Sequence, residues 1–131
     1  SLLLGSKDYI AKARRLRKMV GGGMRQSGIL AAAGKLALTE QVEQLKQDHI
    51  NAKTLAEGLA ELPGFSVNPE FVQTNIVFAK LDPQVDIVSI AAKLKEQNIT
   101  ITPGNPIRFV THKDISAKDI DTFLSSIKSL L

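Results

Sequence analysis

The stretch "TNIVFAKLDPQVDIVSIAAKL", Thr74–Leu94, decides the class of fold. Thr74 to Leu81 reads as a strand, and Asp82-Pro83 breaks it. From Val85 to Gln97 a helix follows, with Ile87, Val88, Ile90, Ala91 and Leu94 on its apolar side. Downstream, "ITIT" (99–102) reads as a short strand, Pro103-Gly104-Asn105-Pro106 as a loop, and "IRFVTH" (107–112) as a further strand. Ser116 and Asp119 form a serine–acid capping box for the last helix, in which Ile120, Phe123, Leu124, Ile127 and Leu131 face inward. Upstream, "FSV" (65–67) is a short strand and Asn68-Pro69 a turn. The expected fold is α+β: a small, mostly antiparallel sheet with helices on one face.

Towards the N-terminus the pattern becomes helical. A helix is expected from Glu40 to Leu62, with Val42, Leu45, His49, Ala52, Leu55, Ala56 and Leu59 on one stripe; Pro63-Gly64 stops it. Another, alanine-rich and nearly uncharged, is expected from Met24 to Leu38 and should pack on several sides. The first helix is capped by Ser6, carries Asp8 at its positive end, and stops at Gly21-Gly22-Gly23. "SLLLG" (1–5) reads as the end of a buried strand.

The 131 residues, 44% of them hydrophobic and 23% charged, suffice for one modest core. No apolar run approaches the roughly 20 residues of a membrane span. The start, "SLLLGSK", has neither an initiator Met nor the basic flank of a signal peptide, and reads as cut from a longer chain. Without cysteine, disulfides and thiolate metal sites are excluded, and the two distant histidines make no metal motif. The net charge of +4 is unevenly spread. Residues 1–25 hold seven basic side chains and one acid, the remainder ten basic and twelve acidic.

The basic cluster leads into "RRLRKMVGGGMRQSG" (14–28), which invites a phosphate reading. As a P-loop it fails, because Ile29 and Leu30 stand where Lys and Ser/Thr belong after Gly23 and Gly28. As a dinucleotide fingerprint it fails at Gln26, where the third glycine belongs. Two readings stay open: an anion site at helix-start amides 24–27 with Arg25, or a hinge with solvated charges beside it. Nucleic-acid binding is disfavoured, since no aromatic platform interleaves the cluster apart from Tyr9. Elsewhere, His49 is expected as a hydrogen-bonded core residue, His112 and Asp114 in a loop, and Asn75 as a backbone cap. Arg108 alternates with Ile107 and Phe109 and so faces away from the side they bury. It is either a solvent-facing residue or a two-pronged clamp for a carboxylate.

The segment "GSKDYIAKARRLRKMVGGGMRQSGILAAAGKLAL" resembles the low-specificity L-threonine aldolases, pyridoxal-phosphate enzymes of the aspartate-aminotransferase-like superfamily. The likeness continues through "DHINAKTLAEGL", "TNIVF" and "PIRFVTHKDIS". The resemblance implies a parent enzyme that cleaves threonine or allo-threonine to glycine and acetaldehyde. It implies that residues 1–38 are the end of the large cofactor domain and a connecting helix, and 39–131 the small C-terminal domain. It matches Arg108 to the arginine that grips the substrate carboxylate, and Lys18 and Arg25 to basic residues near the active site, where they are expected to help neutralise the cofactor phosphate within one subunit or across an interface. The lysine that forms the Schiff base lies upstream of the matched segment in the family. No catalytic residue and no bound cofactor are therefore expected of this chain alone. A cytoplasmic homo-oligomer with no nucleic-acid or membrane partner is implied, and the isolated chain is expected to self-associate or to be disordered at its start. A related β-eliminating lyase or aminotransferase, or an autonomous α+β binding module, are the competing expectations.

Overall fold

The computed structural model describes residues 2–131, and the chain divides into two units, Ser1–Thr39 and Glu40–Leu131. In the first unit, helix α1 spans Lys7–Met19 and α2 spans Gly28–Glu40. The Ser6 hydroxyl accepts the Tyr9 N–H at 3.3 Å, and Asp8 sits in the first turn, so α1 opens as its sequence suggests. It closes in a Schellman motif. Gly21 takes φ +84°, its N–H donates to the Lys18 carbonyl at 3.2 Å, and the Gly22 N–H donates to the Arg17 carbonyl at 2.8 Å.

Three expectations for this unit are corrected. Residues 2–5 form no strand, and Leu2, Leu3 and Leu4 are exposed (Ser1 of that expected strand lies outside the described residues). A strand needs a neighbour to take its N–H and C=O groups, and the described residues of this unit contain no other. Helix α2 begins at Gly28 rather than Met24, because Gln26 turns into the left-handed region at φ +51°. Finally, α2 buries no residue despite its alanine-rich sequence. Nor does α1, and two helices of 13 residues offer too little surface to enclose one another.

The second unit runs α3 (Gln44–Ala60), β1 (Phe65–Ser66), a 3-10 turn (Pro69–Phe71), β2 (Ile76–Leu81), α4 (Ile87–Glu96), β3 (Ile107–Val110) and α5 (Ala117–Lys128). The strands form a three-stranded sheet in the order β1-β2-β3, with both pairings antiparallel. Along β2, Val77, Ala79 and Leu81 point inward and Ile76, Phe78 and Lys80 outward, so helices cover one face only. Leu59 of α3, Leu94 of α4, Ile107 of β3, Ile127 of α5 and Val77 of β2 meet in the centre of the core. Each such side chain contributes about 1.5–3 kcal/mol by leaving water. The link from α3 to β1 is the turn Leu62-Pro63-Gly64-Phe65, in which the Phe65 N–H returns to the Leu62 carbonyl at 3.2 Å. Proline then glycine at φ +78° is the signature of a type II turn.

Here the α+β expectation holds, with local corrections. "ITIT" forms no strand; residues 99–102 run free of the sheet while Ile99 and Ile101 pack on the core. Asn98 explains the departure. It ends α4 at φ +62° in a second Schellman motif, with the Ile99 N–H donating to the Leu94 carbonyl at 3.0 Å, which fixes the direction of the exiting chain. The buried stripe of α3 is Asp48, Asn51, Ala52, Leu55, Ala56 and Leu59, so His49, Val42 and Leu45 are exposed rather than inward. The helix starts at Gln44, after a turn at 41–43, rather than at Glu40. On α4, Val88 lies outside, and at the C-terminus Leu130 rather than Leu131 packs on the core.

The Ser116/Asp119 capping box is present in both directions. The Asp119 N–H donates to Ser116 Oγ at 3.2 Å, and the Asp119 carboxylate accepts from the Ser116 hydroxyl at 2.6 Å and its N–H at 2.8 Å. The side-chain and backbone bonds from Ser116, with a smaller contribution from Lys118, hold the Asp119 carboxyl below its ordinary value of 3.8. A depressed carboxyl pKa adds stability that is complete above 3.8 and lost as pH falls through the lower folded value. In a carbon-detected NMR titration, Asp119 should therefore titrate below 3.8, and Ser116→Ala should bring the midpoint back up. A midpoint at or above 3.8 in the unsubstituted protein would contradict the box as described.

Candidate functional site

Strand β3 presents Arg108. Ile107 points into the core, only 1% exposed, and Phe109 packs inward against Phe123 with ring centroids 5.4 Å apart, so Arg108 between them is driven to the outer face. Its neighbours there follow from the register, which sets Phe78 opposite Arg108 and Ile76 opposite Val110. The Thr111 N–H donates to the Asn75 carbonyl at 2.9 Å, which makes Asn75/Thr111 a hydrogen-bonded pair. Alternation then makes Phe78/Arg108 a non-hydrogen-bonded pair, where side chains come closest. The outer face of β2 and β3 thus carries Ile76, Phe78, Lys80, Arg108 and Val110, with no acid among them. Among the described residues the Arg108 guanidinium has no ion-pair partner.

Arg108 also borders a groove of about 510 Å³ between β3, residues 98–102 and α5. Thr100, Thr102 and Thr122 line it with hydroxyls, and Asp114 and Asp119 line it too, so Arg108 borders a mixed polar groove with apolar walls rather than a purely cationic one. A guanidinium without a partner, next to an aromatic ring and hydroxyl donors, is chemically suited to a carboxylate.

Buried polar residues fix the end of β3. Asp48, Asn51 and Thr111 are the buried polar side chains among the described residues, and they converge there. The Thr111 hydroxyl donates to the Asp48 carbonyl at 2.6 Å, Asn75 Nδ2 to the Thr111 carbonyl at 2.7 Å, and Asn51 Nδ2 to the Ile115 carbonyl at 2.8 Å. At the other end, Asn105 accepts the Leu81 N–H at 3.0 Å and donates to the Leu81 carbonyl at 2.8 Å, as a paired strand would. In the turn after β3, His112 Nδ1 accepts the Asp114 N–H at 3.3 Å, and the Asp114 carboxylate lies 3.7 Å away.

The sequence does not single out Asp48, Asn51, Thr111 or Asn105. The available signal is spacing: Asp48 and Asn51 continue the Ala52–Leu55–Leu59 stripe backward. Asn75 satisfies backbone groups, as expected of it.

In the first unit, Lys18 lies in the last turn of α1 and Arg25 in the turn that precedes α2, both exposed. The glycine run does not open a helix, so the anion site at amides 24–27 does not form as expected. What remains is a side-chain arrangement. Lys18 folds over Gly23, where an added Cβ would stand 2.6 Å from Lys18 Nζ. Among the described residues neither Lys18 nor Arg25 has an ion-pair partner, and no group of three or more His, Asp or Glu is arranged to hold a metal. No helix among them is long and apolar enough to cross a membrane.

Comparison with known proteins gives these features a setting. Residues 1–82 match the model of the Beta-eliminating lyase family. Low-specificity L-threonine aldolase 1 of Arabidopsis thaliana is 38% identical to the chain over all of it and 38% of that protein. A probable low-specificity L-threonine aldolase 2 of the same plant is 40% identical over 99% of the chain and 38% of its own length. The low specificity L-threonine aldolase of Escherichia coli K12 is 42% identical over 92% of the chain and 35% of its own length. The chain therefore spans little more than a third of these relatives.

Proposed function

The chain belongs to the beta-eliminating lyase family, and from that premise we propose that it is a portion of an aldolase that cleaves L-threonine or L-allo-threonine to glycine and acetaldehyde. Relatives named as low-specificity threonine aldolases, alike over nearly all of these residues, support the reaction. The observation that carries the site is Arg108, an outward guanidinium with no ion-pair partner among the described residues. In this reading its two parallel N–H donors take the α-carboxylate of the amino acid. Holding that end removes the rotations that would present a different bond for cleavage. Phe78, directly opposite Arg108 on β2, offers an apolar ring beside the clamp.

Pyridoxal phosphate, when bound, supplies the electron sink for breaking the carbon–carbon bond. Lys18, folded over Gly23, and Arg25 are charged and without an ion-pair partner among the described residues, as are their basic neighbours; the likeness to threonine aldolases supports assigning these two to the cofactor phosphate, in the same or a neighbouring subunit. The Schiff-base lysine belongs, in this reading, to the remainder of a protein nearly three times as long. Residues 1–38 then belong to the large cofactor domain and 39–131 to the small domain. The exposed apolar surface of α2 supports burial against that remainder or another subunit of a cytoplasmic homo-oligomer.

Product analysis on the full-length enzyme tests the reading. L-threonine should give glycine and acetaldehyde in equal amounts, and the 131-residue chain alone should give neither. Formation of 2-oxobutyrate and ammonia instead would assign β-elimination to the parent and overturn aldol cleavage.

A further inference from the structure

We propose that Thr111 is the positioning residue for Arg108. This rests on the reading that Arg108 binds the substrate carboxylate. Strand β3 has only four residues and a single paired neighbour, β2. Burial of Ile107 and Phe109 decides which face turns inward, but it is non-directional and leaves the strand free to slide or twist. A two-pronged grip on a carboxylate needs placement to within about 0.5 Å. Directional bonds must therefore locate β3: the ladder to β2 sets its register, and just beyond the ladder Thr111 supplies a concentrated set. Its N–H bonds to the Asn75 carbonyl at 2.9 Å, its carbonyl accepts from Asn75 Nδ2 at 2.7 Å, and its hydroxyl reaches α3 at the Asp48 carbonyl, 2.6 Å away. The residue is 1% exposed and lies three positions beyond Arg108. Every polar group it owns ties the strand either to β2 or to the helix beneath it.

The hydroxyl is also dispensable for burial. The Asp48 carbonyl is inside α3 and already has its helical partner, so Thr111→Val strands no buried acceptor and nearly conserves volume. What the substitution removes is the tether.

A double-substitution cycle in the full-length enzyme separates positioning from general stability. Thr111→Val should raise KM for L-threonine about fivefold with kcat within about twofold, and Thr111→Ser should restore it. With Arg108→Ala already present, Thr111→Val should change KM no further. In the 131-residue chain, NMR relaxation should show Thr111→Val loosening the Arg108 amide while α3 and α5 keep their order. Should Thr111→Val fail to fold, Asn75→Ala takes its place in the cycle, removing a bond to the Thr111 carbonyl from a half-buried position. An equal rise in KM with and without Arg108, or a folded Thr111→Val enzyme with unchanged KM and unchanged Arg108 relaxation, overturns the proposal. If Arg108→Ala leaves KM unaltered while Thr111→Val still loosens Arg108, the carboxylate reading fails and the mechanical link from Thr111 stands.

Discussion

Arg108→Ala should lower kcat/KM for L-threonine about 100-fold in the full-length enzyme, a loss of about 2.7 kcal/mol in transition-state stabilisation. Two effects combine. The charge-assisted pair with the carboxylate is lost, which weakens binding. The amino acid also regains rotations that the clamp had frozen, which lowers the rate of the chemical step. KM should rise and kcat should fall together. Arg108→Lys keeps the charge but replaces a planar fork with a point charge on a flexible stem, so about a tenfold loss is expected. The comparison separates geometry from charge. Steady-state kinetics on the purified variants would check both, and an Arg108→Ala enzyme within about threefold of the parent would remove this residue from the site.

Leu59→Ala should destabilise the second unit by about 3 kcal/mol. Leu59 is 0% exposed on the buried stripe of α3, the helix that packs against β1, β2 and α5. Removing its isobutyl group takes away burial energy and leaves a void that rigid neighbours fill only in part. A domain stable by about 5–15 kcal/mol loses a sizeable share of that margin. Leu30→Ala on α2 is the matching control, since that leucine is 65% exposed and should change stability by less than about 0.5 kcal/mol. Urea unfolding followed by the α3 and α5 amide signals would distinguish the two. Equal effects would mean that Leu59 does not sit where the core is described.

Much of the second unit is legible in its sequence, for a physical reason. Strand β2 alternates, α5 carries its own start signal, and α4 keeps its apolar positions in step, so each element is specified within itself. The outward direction of Arg108 follows from the same alternation. "ITIT" has the composition of a strand, but pairing depends on a neighbour's free edge and on the exit angle set by Asn98, neither of which is local. Asp48, Asn51 and Thr111 are not singled out by the sequence, because polarity alone does not reveal that partners wait inside. His49 has the spacing of the stripe relative to Leu45 and Ala52, but the buried stripe turns through Asp48. The clamp role proposed for Arg108 is likewise not in the alternation; the proposal comes from the likeness to threonine aldolases.

The three glycines after α1 are alike in the sequence and different in the structure. At Gly21 the obstacle to a side chain is handedness, because φ is +84° and nothing stands within 4 Å of an added Cβ. At Gly22 it is volume, with the Arg17 carbonyl oxygen 3.0 Å from that Cβ and unable to retreat without breaking the cap. At Gly23 it is occupancy by the mobile tip of Lys18, which can swing away. A D-alanine would therefore suit the backbone of the first position, an L-alanine would suit the second less well than glycine does, and an L-alanine at the third would displace only a lysine. A run that looks like slack in the chain is three separate constraints, one chiral, one steric and one negotiable.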